Sequence, residues 1–146
     1  MITVVAQFIG NEWASAGLLA GTVISYLLNP AMAGNVGNLL PELLTAQVLT
    51  AAVGVALWHR QWARYGWYPS FVPVVSIAPA TVLAFDGSAQ SIVAGAVLGA
   101  LAGPPFAAAV ARRLPRDFHP FIGNVVSMAA STTAIVTALS VMPGFG

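Results

Sequence analysis

Long apolar runs, separated by short turns rich in proline, glycine or arginine, dominate the chain. A bilayer-spanning helix needs about 20 mainly apolar residues, each adding 1.5 Å. The runs predict an all-α, polytopic membrane protein with about five transmembrane helices, forming one domain over residues 1–146. The predicted spans are 13–28, 39 or 40 to 58, 71–85, about 91–111 and 121–142.

Composition supports this membrane class. The 146 residues are 58% hydrophobic and 6% charged, whereas a soluble domain has about a quarter charged residues. A net charge of +1 is too small for a nucleic-acid-binding surface, so we expect no nucleic-acid partner. The chain has no cysteine, which excludes disulfides and thiolate ligands. It also lacks catalytic and metal-binding motifs, so we expect no enzymatic activity, cofactor or metal.

The arginines predict an orientation. They lie only between the second and third spans and between the fourth and fifth spans, and two helices separate these turns. All of them therefore fall on one side of the membrane, which the positive-inside rule makes cytoplasmic. We expect a multi-pass protein of the cell (inner or plasma) membrane, with its N-terminus inside and its C-terminus outside. The arginines are Arg60, Arg64, Arg112, Arg113 and Arg116.

Small residues recur at helical spacing in two spans. Gly95, Gly99 and Gly103 form a stripe in the fourth span, and Gly17 and Gly21 continue to a serine in the first. Helices in lipid associate by close packing, which small residues permit. Both stripes are predicted to face other helices.

A short pattern occurs twice. Val-Val-Ser ends at Ser76 and again at Ser127, with a proline (Pro69, Pro120) seven residues before each serine. This pattern indicates a direct repeat of two-helix hairpins, at about 39–88 and 90–142, as in transporters with parallel repeats. The alternative is that alanine- and valine-rich helices resemble one another without duplication.

Polar residues within the spans are candidates for a substrate pathway. Asn124, Ser127 and Ser131 share a face of the fifth span, and Ser76 precedes Pro79 in the third. Prolines release backbone carbonyls, and broken helices hold solutes in many transporters. The alternatives are helix–helix contacts for the polar face and a simple kink for the prolines.

Glu12 has two interpretations. If the first helix begins near residue 2, the carboxylate lies about 15 Å deep and is a candidate intramembrane acid. If the helix begins near residue 13, Glu12 is interfacial and complements the helix dipole, and we favour this reading.

Pro69 and Pro79, ten residues apart after an aromatic, basic turn, resemble the small five-helix subunit of threonine/serine exporters. The resemblance covers the second and third spans. The chain lacks the Pro-Gly pair that usually follows, and we carry no site residue over.

The pattern favours a transporter or channel subunit for a small solute, which acts as a homo-oligomer or with a second membrane subunit. Five short helices enclose little space by themselves, which is the reason to expect such a partner in the bilayer. A non-catalytic anchoring or assembly subunit of a larger membrane complex is the alternative.

Overall fold

A computed structural model describes residues 12–28, 38–115 and 118–145. All regular structure in these ranges is helical, as predicted. The chain divides into two compact units, Met1–Leu40 and Pro41–Gly146. The first contains helix α1 (Glu12–Leu28). Within this unit, no described atom lies within 4 Å of a Cβ placed on Gly17 or Gly21, so packing of that stripe stays a prediction.

Helix α2 (Leu40–Tyr65) is longer than predicted, because it continues past Trp58 into the basic turn. Arginine near a helix C-terminus complements the helix dipole, so basic residues need not end a helix. Gly66 ends it instead. Its φ of +70° places it in the left-handed region, and its N–H donates to the Trp62 carbonyl over 2.9 Å.

The third predicted span is two helices, α3 (Val72–Val75) and α4 (Ile77–Ala84), which meet at Ser76. We expected Pro73 and Pro79 to interrupt a helix. Instead each lies in the first turn of a short helix, where backbone N–H groups have no intrahelical acceptor. The break therefore lies between the two prolines.

A tight turn leads into the second hairpin. Asp86 and Gly87 have positive φ values of 51° and 67°. Ser88 then caps helix α5 (Ala89–Arg113), its side chain accepting a hydrogen bond from the Ser91 N–H. Helix α6 (Pro120–Ser140) begins after His119, whose Nδ1 accepts from the Phe121 N–H over 3.2 Å.

Helix α5 is central in the second unit. It contacts α3, α4 and α6, and α3 and α4 also contact α6. The third and fifth predicted spans are therefore neighbours, as expected. Among the residues that the structure describes, the helices long and apolar enough to cross a membrane are α2, α5 and α6, while Ala16–Leu28 and Val72–Ala84 are shorter apolar segments.

The two hairpins share a plan but differ in detail. In each, a long helix leads through a turn to a proline and a second helical segment. The second segment is broken at Ser76 in one hairpin and continuous in the other. Duplication of an ancestral hairpin stays a prediction.

The glycine stripe of α5 packs against α3 and α4. A Cβ on Gly99 would lie 3.1 Å from both Pro73 Cβ and Ile77 Cγ2, and one on Gly103 would lie 3.1 Å from Pro73 Cδ. At Gly95 it would overlap Thr81 Oγ1 and lie 2.9 Å from Thr81 Cβ. The missing side chains let the broken segment lie directly against the α5 backbone, as predicted for this stripe.

We predict that Gly95→Ala destabilises the protein by about 1–3 kcal/mol, the usual cost of overfilling a packed site. Thr81 cannot move away without losing its hydrogen bond to the Ala78 carbonyl, 2.9 Å long. Thermal unfolding in detergent measures the effect.

Two variants control this experiment. Thr81→Ala should restore part of the lost stability when combined with Gly95→Ala, because it removes the overlapping hydroxyl but keeps the close approach of the two Cβ atoms. Ala102→Leu, at an exposed position of α5, should be close to neutral. A Gly95→Ala protein that melts like the parent would contradict the packing described above.

Candidate functional site

The buried face of α6 is polar from Asn124 to Ser131. Asn124 and Ser131 are each 7% exposed and Ser127 is fully buried. One turn before Ser127, a Cβ on Gly123 would lie 2.9 Å from Leu114 Cδ1 and 3.2 Å from Ala111 Cα. The polar face therefore continues a surface that packs closely on the end of α5.

The serine hydroxyls of this face are satisfied within α6. Ser127 donates to the Asn124 carbonyl over 2.8 Å, and Ser131 donates to the Ser127 carbonyl. The next hydroxyl oxygen, Thr132 Oγ1, is buried and has no hydrogen-bond partner among the described residues. The face thus combines internally bonded hydroxyls with the Asn124 amide, and α6 carries the Thr132 hydroxyl elsewhere on its circumference.

Ser76 stands at the junction of α3 and α4 with φ −126° and ψ −66°. Its hydroxyl donates to the Val72 carbonyl over 2.7 Å, and its side chain is half-buried. Pro79 is also half-buried, in the first turn of α4. Because α3 and α4 contact α6, the predicted pathway residues lie on neighbouring elements. That they share one surface stays a prediction.

A donor that the sequence reading missed supports the helix break. The Gln47 amide of α2 donates to the carbonyl of Val74 over 3.2 Å. The last carbonyls of any helix lack an intrahelical donor, and α3 is only four residues long. Gln47 therefore supplies the neighbouring side chain that such a break requires inside lipid.

A second missed donor joins α2 to α5. The Trp58 indole N–H donates to the Ala100 carbonyl over 2.7 Å. Pro104, within α5, has no N–H for the carbonyl four residues earlier, which is that of Ala100. The rule for proline-released carbonyls could have indicated the acceptor, but not the donor 42 residues away.

The acids contribute little to this site. Residues 1–11, which decide the depth of Glu12, lie outside the described residues, as do Arg116, Asp117 and the loop at 29–37. Glu42 is in the first turn of α2, where a carboxylate complements the helix dipole. Its Oε2 atom is buried without a hydrogen-bond partner in the described part of the chain.

No protein-family model, curated protein or solved structure matches the chain. Function is therefore inferred from its own residues.

We predict that Trp58→Phe lowers the free energy of unfolding by about 1 kcal/mol, since phenylalanine keeps the ring but leaves the Ala100 carbonyl without its donor. Gln47→Leu should have a similar effect at Val74. Detergent titration or thermal unfolding measures both. The matched control is Trp67→Phe, at a ring that is 51% exposed. Equal stability of the Trp58 and Trp67 variants would show that the indole hydrogen bond contributes nothing.

Proposed function

We propose that this chain is a subunit of a small-solute transporter or channel, working as a homo-oligomer or with a second membrane subunit. The observation that carries the proposal is the helix break at Ser76, between two short helices that both contact α6, the helix with the buried polar face. Broken helices held against a second element are a recurrent way of presenting backbone groups to a solute.

The depth of the break supports a role inside the membrane. Val74 accepts from Gln47, and Gln47 stands about 10 Å of helix rise beyond Leu40, the first residue of α2. A break at this depth leaves polar backbone in an apolar layer, where irregular structure is tolerated only against protein or a water-filled cavity. Backbone that raises the free energy of the folded protein in this way is common at functional sites.

The chemistry of the pathway residues limits the solute. Ser76, Asn124, Ser127 and Ser131 offer hydroxyls and one amide, with no fixed charge. These groups suit a neutral or zwitterionic solute, or a weakly held monovalent cation, better than a multivalent anion. Neutral hydrogen-bonding groups would not compensate the loss of hydration around a multivalent charge.

Substitution of Asn124 tests the proposal. In proteoliposomes, Asn124→Leu should abolish uptake of whichever probe the parent carries among labelled glycerol, glycine and rubidium ion. The parent and variant should melt within a few degrees of each other, because the Asn124 side chain makes no hydrogen bond to the described residues that leucine would remove. Thr137→Leu, on the exposed side of α6, is the matched control and should keep its flux.

Two results would contradict the pathway. One is an Asn124→Leu protein that is less stable but carries as much solute per folded molecule as the parent, which would make Asn124 a packing residue. The other is a parent that transports none of the three probes, either alone or after co-expression with a membrane protein encoded by an adjacent gene.

A specific observation favours the alternative, an anchoring or assembly subunit. The hydroxyls of Ser127 and Ser131 are bonded within their own helix, and the glycine stripe closes the contact between α5 and the broken segment. Both features are those of a static helix bundle. Purification with a larger membrane complex, together with no flux, would support this function.

We also propose that the arginine-rich end is cytoplasmic, in the cell (inner or plasma) membrane, with the N-terminus inside. Because the chain has no cysteine, single cysteines report sidedness cleanly. Ala89→Cys should react with an impermeant thiol reagent in intact cells, and Ala63→Cys should react only after permeabilisation. Both alanines are exposed, so burial does not confuse the result. The reverse labelling pattern would overturn the orientation.

A further inference from the structure

The arginine-bearing ends of α2 and α5 lie at the same end of the second unit. Helices α2 and α5 are joined by the bond from Trp58 to Ala100, and Tyr68, in the turn after α2, contacts the Trp58 ring with centroids 5.3 Å apart. Burial raises the pKa of Tyr68, and the charge of Arg112 partly opposes that rise. Toward their arginines, α2 meets Ser70 at Gly54 and α5 meets Pro73 at Gly103. The two basic turns therefore lie at the same end of the unit and share its surface there.

This surface is strongly cationic. Arg60 and Arg64, in the final turns of α2, and Arg112 and Arg113, in the last turn of α5, are all exposed. Among the described residues of this unit, the acids lie at the other end, in the first turn of α2 and in the turn before α5. Attraction between the arginines and an external anion is thus not offset by these carboxylates.

Aromatic rings fix the level of this surface relative to a bilayer. Trp62, Tyr65 and Trp67 are 38%, 62% and 51% exposed, and the Arg64 guanidinium lies 5.3 Å from the centre of the Tyr65 ring. Exposed tryptophan and tyrosine at the end of a membrane helix mark the headgroup region. The arginines consequently stand where lipid phosphates are concentrated, and guanidinium binds phosphate with two parallel hydrogen bonds.

We propose that the surface formed by Arg60, Arg64, Tyr68, Arg112 and Arg113 binds the headgroups of anionic phospholipids. The guanidinium groups contact the phosphate, and the neighbouring rings pack against the glycerol and upper acyl region. Anionic lipid thereby holds the ends of α2 and α5 together at the membrane surface. The hydrogen bond from Trp58 to Ala100 links the same two helices within the bundle.

Quenching of tryptophan fluorescence by brominated lipid tests this inference. The protein is reconstituted in phosphatidylcholine vesicles with a minor fraction of brominated phosphatidylglycerol or, in parallel, brominated phosphatidylcholine. Quenching by the anionic lipid should exceed quenching by the neutral lipid at equal fraction. The excess should fall in 0.5 M salt, which reduces the Debye length to roughly 4 Å.

Charge removal and charge conservation separate binding from folding. Arg64→Gln combined with Arg112→Gln should weaken the preference for anionic lipid about fivefold per arginine. The double lysine variant keeps the charge and should retain most of the preference. If the double glutamine variant does not fold, Arg60→Gln combined with Arg113→Gln makes the same comparison. Thermal unfolding in neutral detergent checks that each variant is folded.

Three outcomes would overturn the inference. The parent could show equal quenching by both brominated lipids, or a folded glutamine variant could keep the full preference. Alternatively, inorganic phosphate at millimolar concentration could remove the preference at constant ionic strength, which would make this a site for a soluble anion instead of a lipid. None of these outcomes bears on solute flux, so the transport proposal is tested separately.

Discussion

Close contact between the glycine stripe of α5 and the broken α3–α4 segment is the constraint on which the second unit depends. Helices in lipid gain no hydrophobic driving force from meeting one another, so van der Waals contact and hydrogen bonds must hold them together. At Gly95, Gly99 and Gly103 the α5 backbone meets Thr81, Ile77 and Pro73 with no room for a methyl group at the first position. Packing this close places α3 and α4 against α5, and both short helices also contact α6.

That packing also explains why a broken helix is tolerated. The break at Ser76 puts both prolines in first turns, so neither removes a hydrogen bond that a regular helix would have made. At the end of α3, the Val74 carbonyl accepts a hydrogen bond from the Gln47 amide. The Ala100 carbonyl, which Pro104 leaves without a helical donor, accepts one from the Trp58 indole. Helix α2 thus acts as the donor for two irregular positions on its neighbours. Side chains of one helix therefore supply hydrogen bonds that irregular backbone needs in lipid.

The candidate pathway and the packing core use the same elements. The polar face of α6 is buried in the bundle, and its serines bond within the helix. Transport would require the helices around this face to move apart, or the face to open toward a second subunit. A static anchor would keep it closed. The two functions therefore differ in motion rather than in composition, which is why flux measured per folded molecule distinguishes them.

Sequence alone determined the class of the protein and the approximate positions of its helices, except for the C-terminal end of α2 and the break at Ser76. Composition excludes a soluble domain. Glycine and proline mark most helix ends through local backbone geometry, and arginine marks the ends that lie at the membrane–water interface. It also identified Gly95, Gly99 and Gly103 as a packing surface, since helical period decides which residues share a face. It did not reveal what that surface meets. Nor did it reveal that Trp58, the last residue of the predicted second span, would bond to Ala100, or that Gln47 would bond to Val74. These partners are 42 and 27 residues apart, and only the mutual rotation and depth of packed helices decide them.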